Sequence, residues 1–164
     1  MQREHLYAVN KLDYARGERP KVDCILCSVI EKDPQVDNLE VHRTEHFVVS
    51  VNLYPYNPGH LMIVPHRHIE WPHELTDTEV LAMHHLQNHV IKVTQSVYPA
   101  SGFNLGYNLG PNGGGSIKHL HLHLVPRFKN EQGFMATVCG TQIMVEDPHV
   151  MVDKFRAAFA TFKS

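Results

Sequence analysis

The chain has 164 residues, 43% apolar and 20% charged, which is enough to bury one core and too few for two. Fifteen Lys and Arg stand against 17 Asp and Glu, a formal charge of −2, and this excludes a nucleic-acid binder that works through a broad basic surface. No run approaches the roughly 20 apolar residues that span a bilayer, and the opening residues lack the apolar stretch of a secretory signal, so the expectation is a cytoplasmic protein with no membrane partner. In chain order, residues 1–21 are polar, carry Gly17 and Pro20, and read as a leader. Cys24 and Cys27 follow as a C-x-x-C pair. Residues 38–42 and 46–51 are β-branched and short, and they predict two strands joined by a turn near Glu45. The turn-rich stretch from Tyr54 to Gly59 leads into residues 60–65, an apolar run stopped by Pro65 that predicts a buried strand. Residues 76–98 predict one long helix, with Thr76 as N-cap, Glu79 three residues later, and Val80, Met83, His84, Leu86, Val90, Val93 and Val97 at helical spacing. A strand over 103–108, a Gly-rich loop over 110–116, a strand over 117–127 and a helix over 148–162 complete the order. Strands, helix, strands and helix predict a single α+β domain over 22–164 with helices packed on an antiparallel sheet.

The 14 His are the compositional anomaly, since imidazole titrates near neutrality and is the commonest metal ligand. His119-Leu120-His121-Leu122-His123-Leu124 alternates without a break, and on a strand this puts three imidazoles on one face and the leucines on the other. An ordinary amphipathic strand explains the leucines but not the choice of His. A triple-His metal site is poorly served by side chains about 7 Å apart in a line. Just before it, Asn108 to Ser116 includes Gly110, Gly113, Gly114 and Gly115, whose backbone N–H groups could cradle phosphate oxygens. It is not a P-loop, because the Gly-Lys-Ser/Thr ending is missing and no helix follows. A neutral imidazole is a competent nucleophile at pH 7, so a phosphate cradle beside a histidine suggests covalent chemistry at phosphorus. The C-x-x-C pair alone is open to three readings: half of a tetrahedral zinc site, a redox pair, or two buried thiols. Cys139 reads as a small buried residue.

Residues 114–127, with His119, His121 and His123 at alternate positions, resemble the signature of the histidine-triad family of nucleotide hydrolases and transferases. Residues 51–68 resemble the same family's nucleoside-binding half. The resemblance covers about residues 22–160. It implies a fold with an antiparallel sheet of about five strands, one long helix and a C-terminal helix. It also implies a homodimer in which two sheets become continuous; Val90, Val93 and Val97 are either core or part of that interface. His121 matches the residue that forms a covalent nucleotidyl-histidine, and His123 and His60 match residues that contact the phosphate. Asn108, Ser116, Gly114 and Gly115 match the phosphate surroundings, with Ser116 placed to assist the leaving group. Asn52 matches the ribose-binding residue, and Leu53 and Ile30 match apolar cover for the base. Zinc-carrying members pair their cysteines with histidines here represented by His68 and His119, which implies a structural Zn²⁺ on Cys24, Cys27, His68 and His119. No acidic cluster suggests Mg²⁺. Residues 54–60 and 132–138 resemble the diadenosine-polyphosphate-cleaving branch, which implies hydrolysis of a dinucleoside polyphosphate. A phosphorylase branch carries Gln at the third triad position, where this chain has His123. A phosphorylase, a nucleoside phosphoramidate hydrolase and a non-enzymatic nucleotide sensor are the alternatives.

Overall fold

The computed structural model describes residues 20–129, 131 and 146–162. Residues 1–19 of the expected leader, the 132–138 stretch and Cys139 lie outside the described residues. The elements are α1 (Ile25–Glu31), β1 (Glu40–Arg43), β2 (Phe47–Val51), β3 (Leu61–Pro65), α2 (Asp77–Val97), β4 (Gly102–Gly106), β5 (Leu122–Arg127) and α3 (Pro148–Thr161). The five strands form one sheet in the order β1-β2-β3-β5-β4, with every neighbouring pair antiparallel. This is the expected α+β architecture.

Every residue of β2 and β3 is buried, so these runs show no apolar–polar alternation. Their two faces are covered by different layers. On one face Val49, Val51, Leu61 and Ile63 join Leu122 and Leu124 of β5, Met83, Leu86, Val90 and Val93 of α2, and Met151, Val152 and Phe155 of α3. On the other, Met62 and Val64 meet Leu26 of α1, with Ile30 and Ile117 packed alongside. The helical layer is the main core, and the opposite face is left for a site beside β5.

Helix α2 starts where its capping box dictates. Glu79 N–H donates to Thr76 Oγ1 and Thr76 N–H donates to Glu79 Oε2. The Arg67 guanidinium reaches the same carboxylate with bonds of 2.9 and 2.8 Å, holds it down to about 2, and ties the helix start to the segment after β3. At α3, the Asp147 carboxylate caps His149 N–H and Pro148 occupies the first turn, where its missing N–H costs nothing.

The structure decides three points of the sequence reading and adds a fourth. Val80 and His84 are exposed, so the buried stripe of α2 is Met83, Leu86, Val90 and Val93. Val90 and Val93 are fully buried in the domain's own core with Val97 packed against them, which removes them as an interface stripe. The strand expected over 117–127 begins only at Leu122, because residues 117–121 leave the ladder to meet the segment after β3, where Leu120 N–H donates to Ile69 O. Helix α1 was not foreseen: two turns are too short for a periodic signal, and a left-handed Lys32 (φ 58°) ends it.

Candidate active site and metal centre

β5 places His123 on the face opposite the leucines, and His121 stands just before the strand with ring centroids 4.8 Å apart. His60 comes from the turn before β3. The turn closes by His60 N–H donating to Asn57 O, and Gly59 carries it at φ 80°, with a Cβ there falling 3.0 Å from the Tyr98 ring. Asn57 is buried and donates to Pro126 O, which locks this turn onto β5.

Hydrogen bonds fix the protons on these rings. His121 Nδ1 lies 2.7 Å from His119 O, and a carbonyl can only accept, so Nδ1 carries the hydrogen and Nε2 keeps its lone pair. Tyr56 N–H donates to His60 Nδ1 at 3.0 Å, which puts the His60 proton on Nε2. That Nε2–H faces His123 Nδ1 at 3.0 Å and donates to it, leaving the His123 proton on Nε2. His123 Nε2 sits 3.2 Å from Asn108 Nδ2, and only the carboxamide turned about its last bond, with Oδ1 in that place, accepts the hydrogen. The chain Tyr56, His60, His123 is therefore polarised one way and ends in an N–H donor next to a nucleophilic nitrogen.

Burial keeps these rings neutral. It pushes His60 down to about 3, with His123 and His121 beside it adding, and pushes His123 down to about 4, with His121 adding. His121 is also lowered by burial, partly offset by its bond to the His119 carbonyl. The unfolded chain takes up protons below the ordinary 6.5, whereas folded His60 and His123 do so only near 3 and 4. Stability is complete above pH 6.5 and falls below it, by about 1 kcal/mol for each ring at pH 5.5. Urea midpoints at pH 7.5 and 5.5 measure this, and the decline is expected to be shallower in His60→Asn.

The glycine loop differs from the expected cradle. The N–H groups of Gly113 and Gly115 donate to Gly110 O and that of Gly114 to Pro111 O, so these three donors are engaged within the turn. Gly114 is at φ 83°, and a Cβ on Gly115 would lie 2.6 Å from Asn108 O. Gly114 and Gly115 thus shape the loop, and Ser116 is exposed at its end. Gly115→Ala forces Asn108 and Gly110 backbone apart and is expected to lower catalytic efficiency at least about tenfold, for a stability loss of roughly 1–3 kcal/mol. Steady-state kinetics together with a melting curve check it.

Of the nucleoside-side residues, Asn52 lies beside His60, Nδ2 to Nε2 at 3.4 Å, with its Oδ1 accepting from Tyr54 N–H. Leu53 packs against the main core and Ile30 against the small cluster on the other face, so they belong to different layers.

Cys24, Cys27, His68 and His119 converge with one ligand atom each, all within 4.8 Å of one another. Cys27 Sγ is 3.2 Å from His68 Nδ1 and 3.4 Å from His119 Nδ1, and Cys24 Sγ is 3.5 Å from His119 Nδ1. A tetrahedral ion with ligands at 2.0–2.3 Å has edges of about 3.5 Å, so the spacing fits. His119 Nε2–H donates to Pro65 O at 2.9 Å, which leaves Nδ1 free as the ligand and explains why this histidine leaves the line of the triad. Burial and the adjacent Cys24 thiol push the Cys27 thiol up to about 12, the charge deficit a divalent cation makes good. The donor set of two thiols and two imidazoles suits Zn²⁺, and with four protein ligands no position remains for water.

Tyr56 escaped the sequence reading. Its ring lies 4.8 Å from that of His60 and 5.9 Å from that of His123, covering the pair. Its position four residues before His60, in a turn that closes on Asn57, was the available signal.

The structure thus joins a five-stranded antiparallel sheet with a helical layer on one face to a row of neutral histidines beside a glycine loop on the other. The model of the HIT domain matches residues 33–130, and the chain belongs to the HIT, or histidine-triad, family. It is 39% identical over 109 residues to the AP-4-A phosphorylase of Mycobacterium tuberculosis, covering 66% of this chain and 56% of that protein. It is 33% identical over 88 residues to the asymmetrical bis(5'-nucleosyl)-tetraphosphatase of Schizosaccharomyces pombe, covering 54% of this chain and 48% of that one. The chain thus spans about half the length of these curated relatives. The fold matches a Zn-bound histidine triad family protein from Mycobacterium smegmatis with TM-score 0.69 and 21% identity, over 84% of this chain and 94% of that one. No helix among the described residues is long and apolar enough to cross a membrane.

Proposed function

We propose that this chain cleaves dinucleoside polyphosphates of the diadenosine tetraphosphate kind at the α-phosphate through a nucleotidyl-His121 intermediate. The observation that carries the proposal is the His121 ring itself, neutral, with Nδ1–H bound to the His119 carbonyl and Nε2 holding a lone pair. Nε2 attacks the α-phosphorus, an N–P bond forms, and the P–O bond to the remaining polyphosphate breaks, with the electron pair leaving on oxygen. His123 Nε2–H, held as a donor by His60, stabilises the charge on the non-bridging oxygens, and such a donor is worth a few kcal/mol in a dry site. The departing oxygen leaves as an anion, with the Ser116 hydroxyl donating a hydrogen bond to it. Water then attacks phosphorus, its proton passes to bulk solvent, and the N–P bond breaks with the electron pair returning to Nε2 of His121. Asn108 orients the phosphate, Asn52 the ribose, and Gly114 and Gly115 hold the loop in shape, while Leu53 and Ile30, in different layers, do not form one base pocket.

Zn²⁺ on Cys24, Cys27, His68 and His119 serves as a structural cross-link between α1 and the segment that carries the nucleophile. The enzyme is read as a cytoplasmic homodimer with no nucleic-acid or membrane partner, its substrate a free nucleotide. Inorganic phosphate as acceptor is the second reading, favoured by the 39% identity to a phosphorylase. The test is incubation with diadenosine tetraphosphate, with and without phosphate, followed by product separation and mass spectrometry of the protein. AMP and ATP without phosphate establish a hydrolase; ADP and ATP only with phosphate establish a phosphorylase. No cleavage and no adduct on His121 overturn the proposal.

A further inference from the structure

The glycine loop hangs on one peptide. Gly110 lies at φ 66° and ψ 169°, a backbone conformation open to glycine almost alone. Its carbonyl accepts both the Gly113 N–H at 3.2 Å and the Gly115 N–H at 2.9 Å. The direction of that carbonyl therefore sets where Gly115 and Ser116 stand against Asn108, whose carboxamide lies beside His123. Glycine has more backbone freedom to lose than any other residue, so a loop built this way keeps one shape only if something outside it bears on Gly110.

Trp71 bears on it. A Cβ built on Gly110 would lie 3.7 Å from Trp71 Cη2, so the tip of the indole stands against the side of Gly110 on which other residues carry a side chain. Among the described residues beyond Gly110's own neighbours in the chain, no other atom comes within 4 Å of that point. The backbone that carries the indole is itself fixed. Trp71 leads into a single 3-10 turn (Pro72–Glu74), where the Glu74 carboxylate accepts the N–H groups of Trp71 at 2.7 Å and of Glu70 at 2.9 Å, and the Arg67 guanidinium donates to Glu74 O. The His73 ring runs alongside the indole, 21° from parallel with centroids 6.2 Å apart. Two residues before Trp71, Ile69 O accepts Leu120 N–H at 2.6 Å, between His119 and His121. One short segment thus holds both the approach to the nucleophile and the entrance of the glycine loop.

We infer that Trp71 is a positioning residue for the chemistry at phosphorus: its indole holds Gly110, and through the Gly110 carbonyl the whole loop, at a fixed place relative to His121. This rests on the proposed cleavage at the α-phosphate, and it adds what keeps Asn108 and Ser116 in register with the nucleophile. Trp71 acts through the loop and touches no reacting atom in this role. The reach of the indole is what matters, because phenylalanine at this position keeps an aromatic ring beside His73 but ends short of Gly110.

The experiment takes the full chain with Trp71→Ala and Trp71→Phe and measures kcat and KM for diadenosine tetraphosphate, amide hydrogen exchange over residues 110–116, and the melting temperature. Both variants are expected to lose about tenfold or more in kcat, with KM within about threefold of the wild type, as a displaced catalytic geometry does. Exchange at the Gly113, Gly114 and Gly115 amides, which are bonded within the turn, is expected to rise about tenfold while β5 and α2 keep their protection. Trp71→Phe is expected to melt close to the wild type, since the indole is half-exposed and most of its apolar bulk is kept, so that stability and kcat part company. Recovery of kcat and of loop protection by phenylalanine overturns the inference, because the indole would then be apolar cover and no more. Unchanged kcat or unchanged exchange in Trp71→Ala overturns it too, and so does a loss carried by KM alone, which would make Trp71 a substrate contact. A wild-type chain that neither cleaves the dinucleotide nor forms an adduct overturns the cleavage proposal and this role with it, whereas an active wild type beside an equally active Trp71→Ala overturns the role alone.

Discussion

Replacing His121 with asparagine is expected to lower kcat/KM for diadenosine tetraphosphate by close to four orders of magnitude or more, at least about 5 kcal/mol of transition-state stabilisation. Asparagine keeps a donor for the His119 carbonyl but has no nitrogen lone pair to offer phosphorus, so the loss falls on bond formation and not on the shape of the site. The melting temperature should hardly change, and no nucleotidyl adduct should be found by mass spectrometry. Near-normal turnover would mean that water attacks directly and that the histidines only bind the phosphate. His60→Asn makes a graded contrast. It breaks the relay that fixes the His123 proton but spares the nucleophile, so a smaller loss of roughly 10²-fold is expected.

Cys24→Ser is expected to reduce metal content from about one zinc per chain to well below that and to lower stability by about 3 kcal/mol, roughly 6–12 °C in Tm for a domain of this size. The cause is the placement of the four donors. Cys24 and Cys27 bracket the start of α1, His68 follows β3, and His119 precedes β5, so an ion on them joins three parts of the chain that otherwise meet through a small cluster of Leu26, Met62 and Val64. Catalysis should also fall, by tenfold or more, because His119 provides the carbonyl that fixes the His121 tautomer, and supporting contacts of this kind carry such effects. Elemental analysis and a thermal melt of protein purified without chelator decide it. Full stability with no bound metal would leave the cluster as two buried thiols and two imidazoles.

Much of the fold was legible because the signals were local. The α2 boundaries follow from Thr76 and Glu79, whose capping bonds need only residues three apart, and the apolar stripe from Met83 to Val93 needs only the helical period. The ten buried residues of β2 and β3 were legible as strands, β2 by its β-branched content and β3 as an apolar run stopped by Pro65, although no alternation marked which face met which layer. Helix α1 was not legible, since two turns held by burial of Leu26 and Val29 carry no period of their own. In the site, the alternation of His119, His121 and His123 with leucines pointed to one chemical face, and it was correct for His121 and His123. It misled for His119, which sits outside the ladder with its ring turned to the cysteines, because Leu120 bonds to the segment after β3.

Short-range spacing carried the family resemblance, the class of fold and the C-x-x-C pair, through an alternating triad, a glycine-rich approach and two cysteines three apart, while His68 and His119 entered the metal cluster only through the resemblance and the fold brings all four together. Tertiary structure decided what depends on which distant groups meet. It gave Tyr56 the task of fixing the His60 proton, made Pro65 and His119 carbonyls the partners that set two tautomers, engaged the glycine N–H groups within their own turn, and set the Trp71 indole against Gly110. Ring tautomers and loop supports arise from contacts between residues tens of positions apart, and no local pattern of residue types encodes the directions in which their hydrogen bonds point.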